Sequence, residues 1–286
     1  MSIINFIGNT GLLRIRENLF LKPEMRNPSG SVKDRAAYHI LKSAGLEKGS
    51  KITEATSGNF GISLAMLSSV MGFNFTAVMP RNASFEREKI IRAYGGSVIR
   101  CDSMCEAVNI AEKSGGYCPS QFTNVKNIEA HYLTTGPEIY EDTGGRVDLF
   151  VAGVGSGGTI IGGGRYLREK NSRVKIVAVE PRSSPMLLAG KSGRHMIEGI
   201  GADFMPPLYD SSIVDEIISV SDNEAISCSR ILMKEYGIFG GISSGAAYFA
   251  ATELEKREEN REKVIVAILP DSGDRYFSTG LFSSEC

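Results

Sequence analysis

The chain has 286 residues, enough for one large domain or two smaller ones, with 32 Lys and Arg against 33 Asp and Glu. A net charge of −1 lacks the basic excess that grips nucleic acid or an anionic membrane, so neither partner is expected. The start, MSIINFIGNTGLLRI, has no basic segment ahead of a long apolar run, and no stretch reaches bilayer-spanning length, so a cytoplasmic location is expected.

The first unusual run is NPSGSVKDR, residues 27–35, a Pro- and Gly-containing turn that places Lys33 where the apolar-periodic AAYHILKSAG begins. KITEAT (51–56) reads as a strand and leads into Thr56-Ser57-Gly58-Asn59-Phe60-Gly61, then a helical ISLAMLSSVMG. Free N–H groups at such a helix start suit a carboxylate, although taken by itself the run reads first as a capped glycine turn. NFTAVMP (74–80), helical SFEREKIIRAYG and GSVIRCD (96–102) continue the alternation, and a long helical segment is expected near 126–142.

VDLFVAGVG (147–155) reads as a strand entering Gly155-Ser156-Gly157-Gly158-Thr159, dense enough in glycine for backbone amides to surround a phosphate. Helical stretches near 160–170, 222–236 and 245–258 alternate with strands VKIVAVEP (174–181), IVDEIISV (213–220) and KVIVAIL (263–269). Glu180 lies at a distance from the glycines that suits a dinucleotide fingerprint, which keeps an NAD-dependent oxidoreductase open as a remote alternative. The last strand ends in PDSGDRY, where Ser272 could bond a ring nitrogen.

Strand–helix alternation throughout implies an α/β protein of two lobes, each a mostly parallel twisted sheet flanked by helices, with ligands beyond the strand ends. The five cysteines, at 101, 105, 118, 228 and 286, and three scattered histidines complete no metal set, so no metal is expected and most of the thiols read as buried. One lysine, a phosphate cup, a carboxylate seat and a hydroxyl for a ring nitrogen together fit pyridoxal 5'-phosphate.

NPSGSVKDR, TSGNFG, QF at 121–122, TTGPE at 134–138, GVGSGGT, EGIGA, GISSGA and PDSGDRY also stand in the order and spacing of a known family. From IGNTG at residue 7 to RYFSTGLF at 275–282 the chain resembles the cysteine synthase (O-acetylserine sulfhydrylase) branch of the fold type II, tryptophan-synthase-like pyridoxal phosphate enzymes. The resemblance implies a cofactor cleft between a smaller lobe, 27–124, and a larger lobe made of 1–26 and 125–286. It implies Lys33 as the Schiff-base and acid–base lysine, and Gly155, Ser156, Gly157, Gly158 and Thr159 as the phosphate cup. Ser272 would meet the pyridine nitrogen, and Asn59 the ring hydroxyl. Thr56, Ser57, Asn59, Phe60, Gln121 and Gly199 would bind the amino acid.

The implied reaction is β-replacement on an amino acid carrying a leaving group on Cβ, with acetate leaving and sulfide adding in the common member. The family is usually dimeric, and some members dock the tail of a serine acetyltransferase. Three positions depart from the family pattern. Phe60 replaces a threonine and adds an aromatic wall, Gly11 replaces a proline, and Asp203 in EGIGADF replaces a glycine. A solvated turn explains Asp203. A carboxylate that activates water would instead give a hydroxyl-forming cysteine lyase, releasing hydrogen sulfide from cysteine and leaving serine.

Overall fold

The computed structural model describes residues 2–81 and 83–282. A smaller lobe holds a three-stranded sheet of β3 (Lys51–Ala55), β4 (Asn74–Pro80) and β5 (Ser97–Cys101) in that order. A larger lobe holds β1 (Leu13–Arg14), β2 (Leu19–Pro23), β6 (Leu149–Gly153), β7 (Lys175–Pro181), β8 (Glu216–Val220) and β9 (Ile265–Leu269). Their order is β1-β2-β9-β6-β7-β8, and every pairing in both sheets is parallel except β1 with β2.

The central strands read as unbroken apolar runs because helices cover both faces. Leu149 and Val151 of β6, with Ile265 and Ala267 of β9, pack into one core; Phe150, Ala152, Val266 and Ile268 pack into another on the opposite face. The first core is closed by α9 (Asp222–Tyr236) and α10 (Ile242–Glu255), the second by α7 (Gly158–Lys170). Around the smaller sheet stand α1 (Lys33–Ser43), α2 (Asn59–Met71), α3 (Phe85–Ala93) and α4 (Met104–Lys113). Two further helices, α5 (Lys126–Leu133) and α6 (Thr135–Asp142), join the lobes, and α8 (Met186–Ala189) is a single turn. The first of the helices, α1, packs against both α2 and α5, so the element that begins with Lys33 contacts both lobes.

Several elements differ from the sequence expectation. The long helix near 126–142 is two helices broken at Thr134, whose φ of −127° and ψ of −63° leave the helical region. Pro137 is accommodated in the first turn of α6, where no intrahelical N–H is needed. The strand expected over 213–220 begins only at Glu216, because residues 210–213 form a turn closed by Ile213 N–H on the Asp210 carbonyl. The short strands β1 and β2, and the helix α4, were not expected.

Cys101 and Cys228 are buried, Cys118 is half-buried and Cys105 is exposed, while Cys286 lies outside the described residues. Burial pushes the thiols of Cys118 and Cys228 up to about 11, so both stay protonated at neutral pH. No helix among the described residues is long and apolar enough to cross a membrane.

Candidate active site

The carboxyl ends of β3, β6 and β9 open into one cleft of about 700 Å³. Lys33, Thr56, Ser57, Asn59, Phe60, Gln121, Gly155, Ser156, Gly199 and Asp203 all line it. Gly157, Gly158, Thr159 and Ser272 are not among the residues that line it.

Lys33 is held by a turn built in three directions. Gly30 N–H donates to the Asn27 carbonyl at 2.7 Å, and Gly30 takes a φ of +83°, a conformation open to glycine. The Arg275 guanidinium closes over this turn, donating to the Gly30 carbonyl at 2.5 Å and to the Ser29 carbonyl. Val32 N–H donates to the Pro270 carbonyl at 2.8 Å, which ties the turn to the end of β9. The Lys33 amine makes no hydrogen bond or ion pair to another described residue. Burial lowers its pKa, with the charge of Asp271 acting in the opposite direction. A larger neutral fraction makes the amine a better nucleophile and base.

Beneath α1 lies a buried ionic cluster. Arg35 grips Glu24 through Nε and Nη2, both at 2.7 Å, and Glu138 at 2.6 and 2.8 Å. Lys22 reaches Glu138 at 2.7 Å, and Thr10 and Asn27 donate to Glu24 at 2.7 and 2.8 Å. Thr10 belongs to IGNTG and Glu138 to TTGPE, so both motifs serve to fix the helix that carries Lys33.

The loop after β3 provides anion-binding amides. Thr56 Oγ1 accepts from Gly58 and Gly61 N–H, both at 3.2 Å, which curls the loop over the start of α2. Ser57, Asn59 and Phe60 N–H have no acceptor among the described residues, and the positive end of α2 stands behind them. The Phe60 ring is only 2% exposed and packs into the core of the smaller lobe, so it is chiefly a core residue and less a cleft wall than the sequence suggested.

A second group of free amides opens α7. The N–H groups of Gly155, Ser156, Gly157, Gly158 and Thr159 have no acceptor among the described residues. The glycines here are also required by protein neighbours. A Cβ on Gly155 would come within 2.4 Å of the Gly199 carbonyl oxygen, and one on Gly158 within 2.0 Å of Asn127 Oδ1. Asn127 Nδ2 donates to Ser156 Oγ at 2.9 Å and to the Gln121 carbonyl at 2.8 Å, coupling the two sides of the cleft. His131 bridges Thr135 Oγ1 at 2.8 Å and Thr159 Oγ1 at 3.2 Å. Burial, and then the charges of Arg35 and Lys33, hold its pKa well below the ordinary value, so this link is neutral.

Ser272 is placed differently from expectation. Its hydroxyl donates to the Asp274 carboxylate and accepts from Arg275 Nη1 at 3.4 Å. The fully buried neighbour is Asp271, which accepts from Asn59 Nδ2 at 2.6 Å and from the Tyr276 hydroxyl at 2.7 Å. Sequence reasoning also missed Arg87, which pairs with Glu198 across the cleft and lies 5.4 Å from the Tyr276 ring centroid. Its surrounding SFEREKII reads as an ordinary charged helix. Glu54, beneath Gln121, accepts from Ser120 N–H at 2.8 Å and Gln121 N–H at 3.2 Å, and burial raises its carboxyl to about 7. Asp203 is exposed on the cleft and bonds no other described residue, while Phe204 beside it meets Phe122 edge-on with ring centroids 5.0 Å apart. Glu180 is buried and accepts from Leu187 N–H at 2.8 Å, so it is not available to a ribose.

A family model described as pyridoxal-phosphate dependent enzyme matches residues 3–271. Cysteine synthase A of Escherichia coli (strain K12) is 43% identical over 302 residues, covering 97% of this chain and 94% of that protein. The crystal structure of cysteine synthase from Entamoeba histolytica superposes with a TM-score of 0.93 at 38% identity, covering 100% of this chain and 91% of that one. That of a hydrogen sulfide-producing enzyme from Fusobacterium nucleatum gives 0.92 at 39% identity, covering 96% and 99%.

Proposed function

Because the chain belongs to the pyridoxal-phosphate dependent enzyme family, we propose that it converts O-acetyl-L-serine and sulfide into L-cysteine and acetate. Its cofactor is pyridoxal 5'-phosphate, and its chemistry is β-replacement on an amino acid. The observation that carries the reading is the row of unpartnered amides at 155–159, a phosphate-sized set of donors, on the cleft that also holds a desolvated Lys33. When bound, the cofactor supplies the electron sink that makes the substrate Cα proton removable.

Lys33 holds the cofactor and, once displaced by substrate, takes the proton from Cα and returns it. The amides of 155–159, with the Ser156 and Thr159 hydroxyls, hold the phosphate. Thr56, the free amides of Ser57, Asn59 and Phe60, and the side chain of Gln121 receive the substrate carboxylate, with Gly199 closing the far side. Ser272 is assigned to the ring nitrogen, a role that requires its hydroxyl to exchange its bond to Asp274 for one to the ring. We divide the chain into lobes at 27–124 and at 1–26 with 125–286, so that these groups come from both.

A second reading rests on Asp203, a cleft carboxylate without a partner among the described residues. Placed near the substrate Cβ, it would repel hydrosulfide and orient water, which favours release of sulfide from cysteine and formation of serine. Product analysis of the purified protein decides between the two. Cysteine and acetate from O-acetylserine with sulfide support synthesis; serine and sulfide from cysteine alone, lost in Asp203→Asn, would support the lyase. Serine formation unchanged in Asp203→Asn would leave Asp203 as a surface turn. A cytoplasmic homodimer that docks a serine acetyltransferase tail in the same cleft completes the proposal, with gel filtration and titration of the tail peptide as its checks.

A further inference from the structure

Asp271 is fully buried beside the cleft, and apart from the effect of its charge on Lys33 the roles assigned above do not use it. Both hydrogen bonds to its Oδ2 come from donors, Asn59 Nδ2 at 2.6 Å and the Tyr276 hydroxyl at 2.7 Å. Its Oδ1 lies against Gly241, where a Cβ would come within 2.2 Å, and has no hydrogen-bond partner among the described residues. Burying a carboxylate with one oxygen unpaired is unfavourable, a cost that the nearby charges of Lys33 and Arg87 offset in part.

The chemistry of the pair has a directional consequence. A carboxylate only accepts, so the nitrogen end of the Asn59 amide must face Asp271 and the carbonyl end must face away. Asn59 Oδ1 is indeed buried without a partner, on a residue that lines the cleft. The terminal torsion of asparagine is broad and nearly two-fold, so an unrestrained amide could present either end.

We propose that Asp271 is a positioning residue that locks the Asn59 amide so that its carbonyl oxygen accepts an N–H or O–H from the bound ligand. The inference rests on the reading above that Asn59 belongs to the ligand site. It also assigns Asn59 a different task from its neighbours. The substrate carboxylate, itself an acceptor, is left to the loop amides and Gln121, while the Asn59 oxygen receives a donor from the cofactor ring or the substrate nitrogen.

The test is a double-mutant cycle of Asp271→Ala and Asn59→Ala. It reads kcat/KM for O-acetylserine in the holoenzyme and the pyridoxal phosphate dissociation constant by titration of each apoprotein. Asp271→Ala is expected to lose on the order of tenfold to a hundredfold, the range of a charge-assisted hydrogen bond. In the Asn59→Ala background the same change is expected to cost several-fold less, leaving only what the loss of its charge near Lys33 costs. Losses that multiply in both readouts would mean two independent roles and would overturn the proposal. Should Asp271→Ala fail to fold, Asp271→Asn keeps the shape while freeing the amide to turn. Its smaller loss must likewise shrink in the Asn59→Ala background, and an equal loss in both backgrounds overturns the proposal. If Asn59→Ala alone changes neither readout, Asn59 is not in the ligand site and this inference falls with that assignment; additivity with a strong Asn59 effect removes only the role of Asp271.

Discussion

Replacing Glu138 with glutamine tests whether the ionic cluster beneath α1 supports the Lys33 turn. The Glu138 side chain is 13% exposed and meets Arg35 at 2.6 Å and Lys22 at 2.7 Å. Burial alone would raise its pKa, but the hydrogen bonds and charges of Arg35 and Lys22 outweigh it and hold the carboxyl at about 2 instead of 4.5. At ~1.4 kcal/mol for each factor of ten, that difference amounts to roughly 3 kcal/mol of stability at neutral pH. Because the folded value lies below the unfolded one, the contribution is present above about pH 4.5 and disappears as the pH falls through about 2. By the same relation, about 1.4 kcal/mol should remain near pH 3. Urea unfolding followed by far-ultraviolet circular dichroism should therefore show wild type and Glu138→Gln separated by roughly 3 kcal/mol near pH 7 and about half that near pH 3. Since Arg35 sits two residues from Lys33, the variant should also release pyridoxal phosphate more readily at urea concentrations below the main transition. A separation that did not change with pH, or one below about 0.5 kcal/mol near pH 7, would refute the electrostatic account.

Lys33→Ala should lose the visible absorbance of the lysine-bound cofactor and nearly all turnover; borohydride labelling that mapped to another lysine would end the assignment. Gln121→Ala should keep the cofactor but raise KM for the amino acid by roughly tenfold, as expected for one lost hydrogen bond to a charged group, and an unchanged KM would place the carboxylate elsewhere. Gly158→Ala forces a methyl group against Asn127 Oδ1 and should lower both melting temperature and cofactor affinity. Loss of cofactor affinity alone would mean that the glycine serves only the phosphate.

The central strands and their helices were legible because burial on both faces writes apolar runs that need no long-range information. The elements that were missed depend on distant partners. LFLKP carries Lys22, which is fully buried in β2 only because Glu138 arrives from α6 to neutralise it. The site shows the same division. The Pro-Gly-Ser turn at Lys33 and the glycine-rich start of α7 are local patterns, but Lys33 acquired a role only when the turn was combined with the phosphate cup and the carboxylate seat. Within PDSGDRY the reading settled on Ser272, since a hydroxyl after a strand is a familiar ligand. That Asp271 is the buried member follows from Asn59 and Tyr276 closing on it, which no local spacing reveals. Gly155 and Gly158 were attributed to phosphate approach, whereas Gly199 and Asn127 already demand them.

The position of β9 orders the assembly of the enzyme in time. It is the last of the described strands, yet it pairs with both β2 and β6 near the middle of the larger sheet, with Leu19 opposite Ile265. The segment that follows it clamps the Lys33 turn through Pro270 and Arg275. A chain emerging from the ribosome can form the smaller sheet early, because β3, β4 and β5 are consecutive. One edge of β2 and the lysine turn after it must wait for β9 while β1 covers the other edge, and pairings so distant in sequence form slowly. Cofactor capture therefore waits on β9, and until it arrives one edge of β2 lies open to wrong pairing.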